Sequence, residues 1–171
     1  LAKIFYLNSG SEASDLAIRI ARTITGRKTV AVLEHGYHGN TSNGIEISSY
    51  KFDGKGGNGI GSNILKLPLP NLFKGKFNSA HEYAKHAINS LEQLAEKPCA
   101  FIAEPISGCG GQVPLAEGYL QILYEYFAAN GIIAISDEVQ TGFGRLGNWF
   151  WGFEMHNVTP DIVILGKPMG N

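Results

Sequence analysis

A lysine and an aspartate each follow an apolar segment of this chain of 171 residues. Lys167 comes shortly after the segment 161–165, and Asp137 comes directly after the segment 131–136. A neutral lysine amine attacks an aldehyde to form a Schiff base, and burial favours the neutral amine. A buried carboxylate needs a donating partner, and a protonated pyridine nitrogen is one. Together the two residues predict a desolvated Schiff-base lysine beside an acid that holds a pyridine ring. Singly they would be a surface lysine and a capping aspartate.

The composition bounds the class of protein. Hydrophobic residues make up 44% and charged residues 17%, which is typical of a soluble globular domain with a sizeable core. The net charge of −1 gives no electrostatic reason to expect nucleic acid or an anionic membrane as a partner. No apolar run reaches the roughly 18 residues that span a bilayer. Cys99 and Cys109 have no metal-ligand spacing and fit a reducing compartment, so we expect a cytoplasmic protein without a bound metal.

The order of the periodic segments indicates the fold class. Apolar residues at helical spacing predict helices over 11–25, 79–97 and 118–130. In the first of these helices, the apolar face that we expect to be buried includes Ile24. Apolar runs without alternation predict strands over 3–7, 28–34, 99–104, 131–136 and 161–165, with a loop-rich stretch over 35–76. Such strands separated by amphipathic helices indicate an α/β fold, a mostly parallel sheet in a three-layer α/β/α arrangement. Ligands of such sheets bind outside the carboxyl ends of the strands, which is where the notable residues fall.

A polar turn, Ser9-Gly10-Ser11-Glu12, precedes the first predicted helix. As a capping box, Ser9 and Glu12 would satisfy unpaired N–H groups of the first helical turn. As an anion site, the small residues would let a phosphate approach N–H groups at the positive end of the helix dipole. Both interpretations remain open, and the position between a strand and a helix favours the second.

The turn His35-Gly36-Tyr37-His38-Gly39 follows the second predicted strand. Two histidines three residues apart could ligate a metal, but no cysteine or acid lies nearby at ligand spacing. Tyr37 could instead stack on a flat ligand. An ordinary turn with one buried aromatic side chain is the simplest interpretation of these residues alone.

Two stretches match the dinucleotide-binding pattern G-x-G-x-x-G, at 54–59 and 142–147. The first follows no predicted strand, and the segment 62–68 after it opens no helix. The second follows a strand and has Asp161 nineteen residues after its first glycine. The aromatic, glycine-broken segment 148–153 stands where a dinucleotide site needs a helix start, so a nicotinamide dehydrogenase is only an alternative.

Ordered blocks of notable residues run through nearly the whole chain: Asn8–Ala13, Tyr37–Gly39, Glu104-Pro105, Asp137–Arg145, Pro160-Asp161 and Gly166-Lys167. In these blocks the chain resembles the class III pyridoxal-phosphate aminotransferases, which are fold type I enzymes. The stretches Gly108–Gln112 and Gly142–Arg145, the second with Phe150-Trp151, are most similar to the branch that contains the type 2 alanine–glyoxylate aminotransferases and the amino-alcohol-phosphate phospho-lyases.

The resemblance implies a role for each matching residue around the cofactor ring. Lys167 would form the Schiff base with pyridoxal phosphate and then carry the proton of the reaction. Asp137 would pair with the pyridine nitrogen, and Gln140 would hydrogen-bond the phenolic oxygen. Val139 would pack on one face of the ring, and Tyr37 would stack on the other.

The resemblance also implies a phosphate site and the reaction partners. Gly10 and Ser11 would hold the phosphate. Glu104 would support the site without a main contact to the cofactor, and His38 would be a further cofactor-binding residue. An amine or amino acid would donate the amino group and a 2-oxo acid would accept it, in a homodimer whose active sites the neighbouring subunit completes.

Compared with full-length members of that family, residues 1–171 correspond to part of the large cofactor-binding domain. The N-terminal segment, the remainder of the large domain and the C-terminal small domain are expected to be missing. The arginine that usually binds the substrate carboxylate would then be missing too. These missing parts leave one alternative, a cofactor-domain fragment that is catalytically incompetent by itself. The branch resemblance around Gly108–Gln112 leaves another, a phospho-lyase acting on a phosphorylated amino alcohol.

Overall fold

In the computed structural model, which describes residues 2–170, the strands form one parallel sheet and one small hairpin. In chain order the strands are β1 (Val30–Leu33), β2 (Ile64–Leu67), β3 (Ala100–Ala103), β4 (Ile106–Ser107), β5 (Val113–Pro114), β6 (Ile133–Asp137) and β7 (Ile162–Ile164). The sheet has the order β2-β1-β3-β6-β7, and all its neighbours run parallel. Strands β4 and β5 pair antiparallel beside it.

Helices connect and cover these strands. They are α1 (Gly10–Thr25), α2 (Ser42–Glu46), α3 (Ser49–Phe52), α4 (Ala80–Glu92) and α5 (Tyr119–Asn130), with 3-10 helices at Gly152–His156 and Lys167–Gly170. Helix α1 begins after the N-cap Ser9 and ends at Gly26, whose φ of 71° is the left-handed conformation that glycine adopts without strain. The three long helices and the strands β1, β3, β6 and β7 agree with the predicted order of elements.

The core lies on both faces of the parallel sheet because successive strand residues point to opposite sides. Val30 and Val32 of β1 pack into a cluster with Ala17, Ile18 and Ala21 of α1. Their neighbours on β1, with Phe101 of β3, pack into a second cluster that includes α4 and α5. The predicted three-layer α/β/α arrangement is therefore confirmed, with α1 on one face and α4 and α5 on the other.

Two predictions about the N-terminal third of the chain are wrong. The segment 3–7 is not a strand, since it has no regular structure and its side chains, among them Ile4 at 77% and Tyr6 at 84% of their surface, are exposed. An apolar run forms a strand only where a neighbouring strand pairs with it, and no strand of residues 2–170 does so here. Ile24, at the end of α1, extends past the sheet and is 69% exposed.

The stretch 35–76 is more regular than the sequence indicates. It contains α2, α3 and the strand β2, whose residues fall in the segment 62–68. Strand β2 is hard to recognise because it is short and carries a lysine. It pairs only with β1 at the edge of the sheet, where Lys66 reaches out to an ion pair with Asp53 at 2.6 Å. The glycines at 54–59 belong to the turn that leads into β2, and no helix follows them.

No helix among residues 2–170 is long and apolar enough to cross a bilayer.

Since the strands of the sheet are parallel, their carboxyl ends share one edge. The residues after β1, β3, β6 and β7, namely 35–39, Glu104, 138–140 and Lys167, therefore lie along that edge.

Candidate active site

A cavity of about 250 Å³ opens at the carboxyl edge of the sheet, beside the first turn of α1. It brings together all nine residues that the sequence predicts for the site and adds two that it does not. The lining residues are Gly10, Ser11, Ser14, Tyr37, His38, Gly39, Glu104, Asp137, Val139, Gln140 and Lys167. Residues from four strand ends and one helix start thus share one concave surface.

Asp137 and His38 form a buried pair at the base of the cavity. His38 Nδ1 lies 2.8 Å from Asp137 Oδ2, and the side chains are 0% and 5% exposed. The other carboxylate oxygen accepts a hydrogen bond from the backbone N–H of Val139 at 3.1 Å. A carboxylate offers about four acceptor positions, so Asp137 retains capacity for a further donor. His38 Nε2 is buried and has no hydrogen-bond partner among residues 2–170.

Val139 sits between two glycines that come from different elements. A Cβ atom at Gly10 would lie 2.8 Å from Val139 Cγ2, and a Cβ atom at Gly166 would lie 3.1 Å from Val139 Cγ1. Real Cβ atoms essentially never approach other atoms within 3.0 Å, so Gly10 is needed to let α1 approach the segment after β6. The glycine thus has a packing role besides any role in binding an anion.

Gln140 and Glu104 are joined through the turn at Gly108. A Cβ atom at Gly108 would lie 2.4 Å from Gln140 Nε2, so the turn approaches that side chain closely because it lacks one. The backbone N–H of Gly108 donates to Glu104 Oε2 at 2.8 Å. Glu104 and Gln140 are therefore held next to each other by one glycine turn.

Burial dominates the electrostatics of Glu104, which is only 6% exposed. Desolvation raises the pKa of its carboxyl to about 7, and the charge of Asp137 acts in the same direction. His38, the Gly108 hydrogen bond and Lys167 act in the opposite direction without cancelling the effect of burial. Glu104 is thus a carboxyl that changes its protonation near neutral pH inside the cavity.

The first turn of α1 both caps itself and presents unpaired donors. Ser9 Oγ accepts from Glu12 N at 3.2 Å, and Glu12 Oε2 accepts from Asn8 N at 3.0 Å, so the predicted cap is present with Asn8 as the second partner. The first helical hydrogen bond runs from Ala13 N to Ser9 O, so the N–H groups of the two residues after Ser9 lie outside the helical ladder. The capping and anion-binding interpretations are therefore compatible.

The loop after β1 closes over that first turn. Asn40 N donates to Ser11 Oγ at 3.0 Å, and a Cβ atom at Gly39 would lie 2.8 Å from Ser11 Cα. Gly39 also has a φ of 129°, which L residues rarely adopt. Tyr37, half-buried in the same loop, packs edge-on to Tyr50 with ring centroids 6.3 Å apart. Residues 2–170 contain no group of three or more metal-ligating side chains.

Lys167 differs from the prediction in its environment. It lines the cavity and begins the 3-10 helix Lys167–Gly170 that follows β7, yet it is exposed and not desolvated. The sequence predicts burial because the preceding strand is apolar. The strand stops at Ile164, however, and Lys167 lies beyond it in the 3-10 helix, where the residues of 2–170 leave its side chain exposed.

Ser14 and Gly39 are the lining residues that sequence reasoning missed. Ser14 is buried one turn after Gly10, and its hydroxyl donates to the Gly10 carbonyl at 3.1 Å. Its position one helical turn after the predicted anion site was the available signal. Gly39 could have been found as the glycine that ends the Tyr37-His38 turn. The glycines at 142–147 form turns that follow β6, and no helix starts there, so the dinucleotide alternative lacks its structural context.

Comparisons with known proteins show the family of the chain. The family model described as aminotransferase class-III matches residues 2–171. The chain is 42% identical over 183 residues to an alanine–glyoxylate aminotransferase 2-like protein of Drosophila melanogaster, covering 100% of the chain and 37% of that protein. It is 40% identical over 176 residues to the mitochondrial alanine–glyoxylate aminotransferase 2 homolog 2 of Arabidopsis thaliana, covering 100% of the chain and 36% of that protein.

Among solved structures, a phospholyase from Arthrobacter in complex with phosphoethanolamine superposes with a TM-score of 0.83 at 35% identity. That match covers 99% of this chain and 41% of the phospholyase chain. The chain thus spans well under half the length of the proteins it matches. It belongs to the class III aminotransferases, a family of enzymes that depend on pyridoxal phosphate.

Proposed function

We propose that the protein carrying this chain is an aminotransferase that moves an amino group from an amine or amino acid to a 2-oxo acid, with Lys167 as its catalytic lysine. The observation that carries the proposal is the convergence of all nine sequence-predicted residues on one cavity. These residues come from positions as distant as Gly10 and Lys167, so their meeting is a property of the fold and not of local sequence.

The donor and acceptor set of the cavity fits pyridoxal phosphate part by part. The N–H groups of Gly10 and Ser11, which have no backbone partner among residues 2–170, stand at the start of the 16-residue helix α1, where a phosphate is favoured. The buried Asp137 carboxylate has acceptor capacity for a protonated pyridine nitrogen. Val139 and Tyr37 offer an apolar and an aromatic surface for the ring.

When bound, pyridoxal phosphate supplies an aldehyde and an electron-withdrawing ring that stabilises negative charge at the substrate's α-carbon. Lys167 Nζ is the proposed group that holds the cofactor and then removes and returns the proton at the α-carbon. Gln140 Nε2, seated against Gly108, is the proposed donor to the phenolic oxygen.

His38 is proposed to orient Asp137. If Nδ1 donates to the aspartate, the carboxylate plane is fixed and its negative charge is stabilised by a charge-assisted hydrogen bond. Glu104 is proposed to support the floor of the site, because its carboxylate fixes the Gly108 turn against which Gln140 packs.

A phospho-lyase is the second candidate, and a specific observation favours it. The solved structure reported above with a TM-score of 0.83 is a phospholyase in complex with phosphoethanolamine. The stretch Gly108–Gln112 also belongs to the turn that holds Glu104 and Gln140, so it lies where a branch-specific difference would affect the site. Either reaction would use the same lysine and the same cofactor.

Product analysis of the intact protein loaded with pyridoxal phosphate separates the two candidates. An aminotransferase converts a 2-oxo acid to its amino acid in the presence of an amino donor and releases no phosphate from phosphoethanolamine. A phospho-lyase releases inorganic phosphate and needs no 2-oxo acid. If the cofactor-loaded protein shows neither of these two activities, the proposed function is refuted.

The oligomeric state of the intact protein and its cellular compartment are also proposals. Family membership supports a homodimer in which the neighbouring subunit completes the site. Because the chain covers 37% of its relative from Drosophila melanogaster, residues 1–171 are proposed to turn over poorly by themselves. The cytoplasm is proposed from the composition, and the mitochondrial relative of Arabidopsis thaliana makes that organelle the alternative.

A further inference from the structure

Glu138, between Asp137 and Val139, is a fully buried carboxylate that faces away from the cavity. Its Oε1 accepts from Ser136 Oγ at 3.1 Å and from Phe153 N at 2.8 Å. Its Oε2 accepts from Thr141 Oγ1 at 2.6 Å and from Gly152 N at 2.7 Å. Four donors therefore satisfy a charge that burial alone would strongly disfavour.

Two of these donors open the 3-10 helix Gly152–His156, so Glu138 ties the first turn of that helix to the segment after β6. The contact is close because position 152 is a glycine. A Cβ atom there would lie 2.9 Å from Thr141 Cβ and 3.0 Å from Glu138 Oε2. The Glu138 backbone N–H donates to Ile164 O at 2.9 Å, which joins the same segment to the strand that leads to Lys167.

His156 makes the corresponding contact at the other end of the 3-10 helix. Its side chain is buried, and Nε2 lies 3.0 Å from the backbone carbonyl oxygen of Pro105. Only a protonated Nε2 can donate to a carbonyl, which fixes the tautomer. Pro105 follows Glu104 directly, so His156 ties the helix to the segment that carries the second buried acid of the cavity.

We propose that the 3-10 helix Gly152–His156 is a positioning element, through which Glu138 and His156 hold the segments 137–140 and 104–108 at a fixed separation. This inference deepens the proposed function and rests on it. Asp137, Val139 and Gln140 lie on one segment and Glu104 and Gly108 on the other, while the helix itself does not line the cavity. A displacement of either segment would move cofactor ligands without removing any of them.

The helix offers a matched control for Glu138. Glu154 is exposed and also accepts two backbone N–H groups, those of Phe150 and Trp151, both at 2.9 Å. Both donors bond one oxygen, Oε2, and the amide oxygen of Glu154→Gln can still accept them, so this variant removes a carboxylate from the same helix without leaving a donor unpaired and without touching either cavity segment. In Glu138→Gln the amide nitrogen would face one of the two backbone N–H groups, which leaves a buried donor unpaired.

The test is pyridoxal-phosphate binding by the intact protein, followed by the absorbance of the bound cofactor at a temperature where each variant is fully folded. Glu138→Gln is expected to weaken binding by about 10-fold, because the unpaired buried donor shifts the segment that carries Asp137 and Gln140. Glu154→Gln is expected to change it by less than about threefold. His156→Phe should also weaken binding, whereas His156→Gln, which keeps an N–H donor, should restore most of it.

Equal cofactor affinity in Glu138→Gln and Glu154→Gln would overturn the inference and leave Glu138 as a stabilising residue only. If Glu138→Gln does not fold, Gly152→Ala takes its place, because its methyl group pushes the helix away from Glu138; unchanged affinity in that variant would refute the inference equally. If the unaltered protein binds no pyridoxal phosphate, the proposed function fails instead. In that case, hydrogen exchange of segments 137–140 and 104–108 tests the positioning role without the cofactor. We expect faster exchange of these segments in Glu138→Gln than in Glu154→Gln, and equal exchange would overturn the inference.

Discussion

His38 Nδ1 lies 2.8 Å from Asp137 Oδ2, and the two side chains are buried together although they are far apart in the sequence. His38 comes from the loop after β1 and Asp137 from the last position of β6. The contact therefore exists only because the sheet order brings the carboxyl ends of these strands to one edge. It couples the loop that carries Tyr37 to the residue proposed to hold the pyridine nitrogen.

Replacing His38 tests this coupling. His38→Phe keeps a planar ring but removes the donor, so Asp137 loses one of its two hydrogen bonds and remains buried. A buried acceptor left without its partner costs about 1–3 kcal/mol, so we expect that loss in the free energy of unfolding and weaker pyridoxal-phosphate binding. Denaturant unfolding and cofactor titration measure the two effects. His81→Phe, on the exposed side of α4, is the control and should alter neither. Unchanged cofactor affinity in His38→Phe would show that Asp137 needs no orienting partner.

Gly10 is predicted to tolerate a larger side chain poorly for a packing reason. In Gly10→Ala the new methyl group would lie 2.8 Å from Val139 Cγ2, so helix α1 or the segment after β6 must shift. Overpacking of this kind costs about 1–3 kcal/mol, and the shift moves the N–H groups proposed to bind phosphate. Thermal unfolding measures the loss of stability, and titration with pyridoxal phosphate measures the loss of cofactor affinity. Gly61→Ala is the control, because its nearest neighbour, Glu46 Oε1, would be 3.5 Å away.

The same clash makes a double variant informative. Val139→Ala removes the two methyl groups that the new side chain of Gly10→Ala would meet. Gly10→Ala should therefore cost less stability in the Val139→Ala background than in the unaltered protein. Strictly additive losses in the two backgrounds would mean that the contact between Gly10 and Val139 does not limit the approach of α1 to the sheet.

Glu104 gives the fold a specific pH dependence. Its pKa is raised from the ordinary value of 4.5 to about 7 in the folded protein, chiefly by desolvation. A carboxyl with a raised folded pKa contributes stability that is fully present below its unfolded pKa and is lost as the pH rises through its folded pKa. The window therefore runs from about pH 4.5 to about pH 7, and the loss is on the order of 3 kcal/mol.

Glu104→Gln isolates this contribution, because the amide oxygen can still accept from Gly108 N and the side chain no longer titrates. Free energies of unfolding measured by urea titration at several pH values should show the unaltered protein losing stability relative to Glu104→Gln as the pH rises through that window. Two curves that stay parallel from about pH 4.5 to about pH 8 would contradict the raised pKa of Glu104.

The sheet and the candidate site were predictable from the sequence to different extents. Strands such as Ala100–Ala103 and Ile133–Asp137 are buried on both faces, so their apolar runs stand out. Strand β2 is an edge strand with a lysine in the middle, and its pairing with β1 depends on the fold and not on its own residues. The segment 3–7 shows the opposite error: its apolar residues predict a strand, but it has no strand partner among residues 2–170.

In the site, residue types with a distinct chemistry were predictable and their environments were not. Lys167, Asp137 and Glu104 could be identified because an acid or a lysine after an apolar strand is unusual. Whether each is covered depends on neighbours that are distant in sequence, and so the sequence predicts a buried Lys167 where the structure has an exposed one. The supporting contacts of Glu138 and His156 were likewise invisible, because their partners lie 14 and 51 residues away.

The identity of the catalytic lysine is the central claim, and a covalent label tests it most directly. The intact protein is incubated with pyridoxal phosphate, reduced with borohydride and mapped by peptide mass spectrometry. The lysines of the chain also include Lys51, whose Nζ lies 5.7 Å from the centroid of the Tyr37 ring and so stands near the cavity. We expect one pyridoxyl group on Lys167, its disappearance in Lys167→Ala and its persistence in Lys51→Arg. A stoichiometric label on Lys51 or any other lysine, with Lys167 unmodified, would contradict the assignment.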